Sequence, residues 1–173
     1  MRRASFWLMV ATVAVAAGIC THLAWVWAMP HRLMGDAMDT LGRDGQRLHQ
    51  WIHARRASPQ ARAIVRPSPD LAYSICVFDL SRGDVRLRVH PSPGYWSLSL
   101  YAANSDNVRT WNDEDSPGGV DVVLTHGATM AGDGRVALPS ARGIAAVRRL
   151  APTPAEWDVA VAIRERDACE VRP

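Results

Sequence analysis

Lysine is missing from this 173-residue chain: all 20 of its basic Lys-plus-Arg positions are arginine. That bias suits a GC-rich genome, most simply a bacterial one, and carries no mechanism of its own. Charge is missing from residues 4–28, which hold no Asp, Glu, Lys or Arg. Cysteine is scarce, at three, which excludes a disulfide-dense scaffold and a four-cysteine zinc knuckle. No hydrolase elbow, phosphate-binding loop or His-Glu-x-x-His zinc helix occurs. A concentrated basic face is also lacking, because residues 67–173 hold 11 Arg against 14 acids. Nucleic-acid binding needs such a face and its counterion release, so that class is excluded.

What is present begins with the uncharged run. A helix rises about 1.5 Å per residue, so residues 4–28 are long enough to cross a hydrocarbon core of about 30 Å. Trp7 at one end and Trp25 and Trp27 at the other suit the two interfaces. Pro30 is expected to end this helix because it has no amide proton to donate. A cleaved signal peptide would have a shorter apolar region and small residues at the cut, whereas this run continues through Trp25-Val26-Trp27. The run reads as a single-pass anchor over residues 1–30. Arg2 and Arg3 favour keeping the start inside, which places residues 31 onward in the periplasm of a bacterial inner-membrane protein.

Residues 31–66 hold seven Arg and three Asp, a local surplus of four positive charges beside the bilayer. Such a segment suits anionic headgroups or simply a solvated helix face. Leu33, Met34, Met38, Leu41, Leu48, Trp51 and Ile52 fall roughly on one stripe, which predicts a juxtamembrane helix to about Ser58 within a linker over residues 31–62. Gly35, Gly42 and Gly45 weaken it, each by about 1 kcal/mol relative to Ala.

From Leu71 the apolar period changes to two. Strands are predicted over residues 71–80, 85–89, 95–101, 120–125, 135–138 and 144–150, separated by turns rich in Gly, Pro and Asp. The stretch 85–89 alternates Val and Leu inward with Arg outward, as a half-buried strand should. Short strands at this spacing predict one antiparallel β-sandwich over residues 63–173. Thr153, Pro154 and Glu156 predict a capped C-terminal helix whose Trp157, Ala160 and Val161 face the sheet. Cys76 and Cys169 form an even pair in an oxidising space, a candidate disulfide or two buried thiols.

Polar groups that frame the strands are the candidate ligand- or partner-binding residues. They are Arg66, Asp70 and Tyr73 before and in the first strand, Trp96 in the third, and Asn104, Asp106, Asn107 and Asn112 after it. Together they suggest a polar pocket edged by Tyr73, Trp96 and Trp111. The structural alternative is that the Asn and Asp residues close turns through their own side chains. His49 and His53 stand four apart, and Asn112-Asp-Glu-Asp115 is acidic, but neither has metal-site spacing, so no metal or cofactor is expected.

The strings RPSPDLAYSICVFDLSRGDVRL, YWSLSLYAANSDN and LPSARG resemble the bacterial domain-of-unknown-function family 1254. Ser68 stands where that family usually has Asn, and Ser105 where it usually has Thr. The resemblance implies a β-sandwich and supplies no catalytic residues. Longer members carry a second β-rich domain, numbered 1214, so it also implies a short anchored form that pairs with a separate 1214-type protein. Two function classes remain. One is a non-enzymatic envelope module that binds a partner protein or small ligand; the other is a hydrolase-like subunit whose site a companion completes.

Overall fold

A computed structural model describes residues 2–58, 67–127 and 134–172. The uncharged run is helical, as its composition requires, and its large side chains from Phe6 to Trp27 stand exposed. This helix, α1, spans Arg2–Gly42 and contains Pro30 rather than ending there. It is long and apolar enough to cross a membrane, which is compatible with a single-pass anchor or a signal sequence. The interruption at Pro30 removes one backbone donor, and the His31 ring nitrogen lies 2.9 Å from the Trp27 carbonyl one turn back.

Beyond Gly42 the helix unwinds through Arg43, Asp44 and Gly45, all at positive φ. The helix expected to reach Ser58 therefore stops early, and Trp51–His53 forms a strand, β1. Glycines at 42 and 45 make the break. The backbone then pairs with the open edge of β2 (Leu71–Asp79), Ile52 opposite Ile75. The remaining strands are β3 (Val85–Val89), β4 (Trp96–Ala102), β5 (Asn107–Asn112), β6 (Val120–His126), β7 (Arg135–Leu138), β8 (Arg142–Leu150) and β9 (Ala168–Val171). Helix α2, Pro154–Arg164, lies between β8 and β9.

Two sheets form: a five-stranded one ordered β1-β2-β8-β4-β5 and a four-stranded one ordered β7-β6-β3-β9. All pairings are antiparallel except β6 with β7. Their inner faces share one core, with Phe78, Trp96, Leu98, Leu100 and Val147 meeting Val85, Leu87, Leu124 and Leu138. This is the expected β-sandwich. Position 143, near the start of β8, is glycine because a Cβ there would strike the Tyr101 carbonyl and the Phe78 ring. Cys76 on β2 and Cys169 on β9 are bonded, with Cα atoms 6.6 Å apart, and so join the two sheets. Helix α2 carries the expected capping box: the Glu156 amide donates to the Thr153 hydroxyl, and the Glu156 carboxylate accepts from the Thr153 amide. Its Ala160 and Trp157 pack on Ala72 and Ala151.

Candidate functional site

In an antiparallel pair, residues directly opposite each other project to the same face. The register thus sorts the predicted residues. Tyr73, Arg148, Ser97 and Asn112 lie opposite one another across β2, β8, β4 and β5, and all face away from the core. Trp96 and Trp111 face the other way, buried in the core at 1% and 8% exposure. The expected pocket edged by Tyr73, Trp96 and Trp111 does not form, because strand parity puts the tyrosine and the tryptophans on opposite sides of the sheet.

The other predicted residues serve local structure. Arg66 lies outside the described residues. Asp70 is exposed, and its carbonyl accepts from the Ala151 amide at 2.8 Å, tying the start of β2 to the end of β8. The Tyr73 hydroxyl accepts from the Ser68 amide at 3.1 Å, which fastens the turn ahead of β2. Asn104 donates to the Asp106 carboxylate at 2.6 Å and accepts from the Asp106 amide at 3.2 Å. Those bonds stiffen the β4–β5 turn, whose Ser105 has φ 70°. Asn107 exchanges hydrogen bonds with the Thr110 side chain, and Asn112 accepts from the Asp115 amide at 2.8 Å.

What these turns surround is the outer face of the five-stranded sheet. Its two ends differ. One end is covered by the second part of α1, where Met38 is buried against Val77 and Ile144, with Met34, Ala37 and Leu41 beside it. An Asp39–Arg142 ion pair at 2.7 Å and a hydrogen bond from Ser105 Oγ to the Pro30 carbonyl at 3.1 Å fix the helix there. The other end carries the polar row Tyr73–Arg148–Ser97–Asn112 and, next to it, Ile75–Ala146–Ser99–Thr110. Arg148 donates to the Tyr101 hydroxyl at 3.1 Å, and Ser99 bonds Thr110 at 3.1 Å. Ser97 Oγ is buried and has no hydrogen-bond partner among the described residues, in a side chain 1% exposed. A hydroxyl buried without a partner costs stability.

A second polar cluster lies between the sheets. Arg149, turned inward from β8, meets Asp167 at 2.8 Å; their side chains are 1% and 0% exposed. The Asp167 carboxylate also accepts from the His90 amide at 2.9 Å, and Arg149 donates to the His90 carbonyl at 3.0 Å. Nearby, His53 Nδ1 lies 2.8 Å from Ser74 Oγ. Burial, then the guanidinium of Arg164, holds the His53 imidazole below its ordinary pKa and so neutral. A neutral imidazole on a hydroxyl has the contact of a base and nucleophile. Ser74 is only 1% exposed, however, and Asp167 engages Arg149 and the His90 amide. His49 and His53 do not share a helix face: His49 precedes β1 and accepts from the Asp79 amide at 3.0 Å. No group of three metal-ligating side chains occurs among the described residues.

Sequence reasoning missed Ser74, Ser97, Arg148, Arg149 and Asp167. One signal was available: with Gly143, Ala145 and Val147 inward on β8, parity turns Arg149 inward and Arg148 out.

The crystal structure of the VPA0106 protein from Vibrio parahaemolyticus is similar to this chain, with a TM-score of 0.66 at 13% identity over 86% of this chain and 36% of that one. An uncharacterized protein from Burkholderia cenocepacia gives a TM-score of 0.45 at 14% identity, over 78% of this chain and 38% of that one. The chain thus spans little more than a third of the length of either solved structure, and the first likeness shows the shared fold. None of the curated proteins matches the chain. The family described as "Protein of unknown function (DUF1254)" matches residues 48–171, from the loop before β1 to the end of β9, and the chain belongs to that family.

Proposed function

We propose that this protein is a non-enzymatic envelope module: α1 anchors it in the bacterial inner membrane, and its sandwich, in the periplasm, binds a partner protein. The binding surface in this reading is the polar end of the outer face of the five-stranded sheet. The observation that carries it is the unequal cover of that face: α1 is seated on Val77 and Ile144 at one end, while Tyr73, Arg148 and Asn112 at the other end stay part-exposed. A companion chain that hydrogen-bonds those part-exposed side chains covers the surface. A separate 1214-type protein is the expected companion.

A photo-crosslinker in place of Asn112 or Tyr73 tests this in membranes. One discrete adduct is expected from those positions and none from Arg88, on the outer face of the four-stranded sheet. Equal labelling from both faces overturns the assignment. Alkaline phosphatase fused after Pro173 is expected to be active, and a stable but inactive fusion reverses the orientation. The Ser74–His53 contact favours a second reading, a hydrolase-like subunit completed by a companion. That reading requires an active-site-directed phosphonate to label Ser74 in the assembled complex; an unlabelled complex removes it.

A further inference from the structure

The β4–β5 turn touches α1 at one defined height. Ser105 Oγ donates to the Pro30 carbonyl at 3.1 Å, two residues past the last residue of the uncharged run. Two residues of helix are about 3 Å of rise. The run of 25 residues, 4–28, is about 37 Å long against a hydrocarbon core of about 30 Å. Its end therefore falls no more than a few ångströms outside the core, within the headgroup zone, where Trp25 and Trp27 also belong. Pro30, about 3 Å further along, lies about 6–7 Å outside the core and still among the headgroups, and anything bonded to it shares that depth. The contact is not a loose one. The turn is closed by Ser105 N–H to the Ala102 carbonyl at 3.0 Å and by the Asn104–Asp106 bonds, and Met38 and the Asp39–Arg142 pair hold the helix beyond Pro30 on the same sheet.

We infer that the β4–β5 turn, residues 103–106, sits among the phospholipid headgroups of the bilayer that α1 crosses, so that the sandwich lies against the membrane instead of standing off on a stalk. This rests on the anchored reading above. The chemistry at that height fits. Arg32, exposed and two residues past Pro30, offers a guanidinium to lipid phosphate, and the one carboxylate of the turn, Asp106, is engaged by Asn104. Asn104 and Asp106, two of the residues that looked like ligand-binding groups in the sequence, thus have a different use, which is to shape a rigid turn that carries Ser105 to the helix.

The test uses the full chain carrying Cys20→Ala, since Cys20 is the free cysteine, reconstituted into vesicles of phosphatidylcholine and phosphatidylglycerol. A fluorophore is placed on Ser105→Cys, with Asn107→Cys as a second site in case the first disturbs the turn. Glu165→Cys, exposed at the end of α2, is the distant control. Headgroup-attached quencher lipids are expected to quench the label at 105 or 107 several-fold more than the label at 165. Protein that stays in the vesicles while all three labels are quenched alike, and no more than a soluble dye, overturns the inference and leaves the anchor standing. Protein that washes off the vesicles with alkaline carbonate overturns the anchored reading and this inference together.

Discussion

Two arginine–aspartate contacts of nearly the same length occupy opposite settings in this molecule. Arg86 meets Asp121 at 2.7 Å on the outer face of the four-stranded sheet, with side chains 39% and 46% exposed. Arg149 meets Asp167 at 2.8 Å between the sheets, with side chains 1% and 0% exposed. The distances are nearly equal and the energetics are not. On the surface, water solvates both ions whether or not they touch, so the pair adds little. In the interior each ion has left water, and removal of one strands the other without solvent. The outer pair decorates a face finished for water, where Arg88 also reaches Asp121 and Arg135 pairs with Asp84. The inner pair locks the segment after α2 against β8.

The sharpest break of that comparison is Asp167→Ala. It leaves Arg149 buried and uncompensated, and about 3–5 kcal/mol of unfolding free energy is expected to go, read as a fall in the denaturant midpoint. Next is Cys169→Ser, which removes the cross-link two residues further on. An expected loss of about 2–4 kcal/mol follows from closing a loop this long, the two cysteines being 93 residues apart. Both changes release the same short segment, so the double variant is expected to lose less than the sum of the two. Thr153→Ala opens the cap of α2, which leads into that segment, with an expected loss of about 1 kcal/mol in the same assay.

A pH titration sharpens the contrast further. Burial and Arg164 hold His53 below the ordinary 6.5. Between its folded value and 6.5 the unfolded chain binds the proton and the folded chain does not, so stability rises with pH there. The contribution is complete above about 6.5 and is lost as pH falls below it; His53→Gln is expected to flatten that slope. The smallest change belongs to the outer pair. The hydrogen bond from Arg86 holds the Asp121 carboxyl below the usual range, yet Asp121→Ala is expected to move the midpoint by only a small fraction of the Asp167 effect. A comparable loss from both substitutions breaks the comparison.

Period-two alternation made β2, β3, β4, β6, β7 and β8 legible, and the Thr153–Glu156 spacing made α2 legible with its cap. The three strands that escaped notice are β1, β5 and β9, which are edge strands of three, six and four residues. An edge strand has one partner and half-open faces, so selection for alternating apolar residues is weak. In β5, Asn107-Val-Arg-Thr-Trp-Asn112 carries one buried residue. Pro30 misled for a related reason: the contacts of residues 34–41 with the sheet hold helix past a position where an isolated chain would stop.

Of the candidate site, the residue types were legible and their grouping was not. Asn104, Asp106 and Asn112 belong to turns, as short polar side chains after strands usually do. Their relation to α1 depends on Ser105 reaching a carbonyl 75 positions earlier. Composition and period by themselves determined the membrane-length helix, the sandwich and the capped last helix, because each follows from burial patterns repeated within a few residues. The tertiary structure alone decided which arginine is buried, which hydroxyl lacks a partner and where the sandwich rests on its helix. Those properties come from strands paired across long separations, and no local pattern records that pairing.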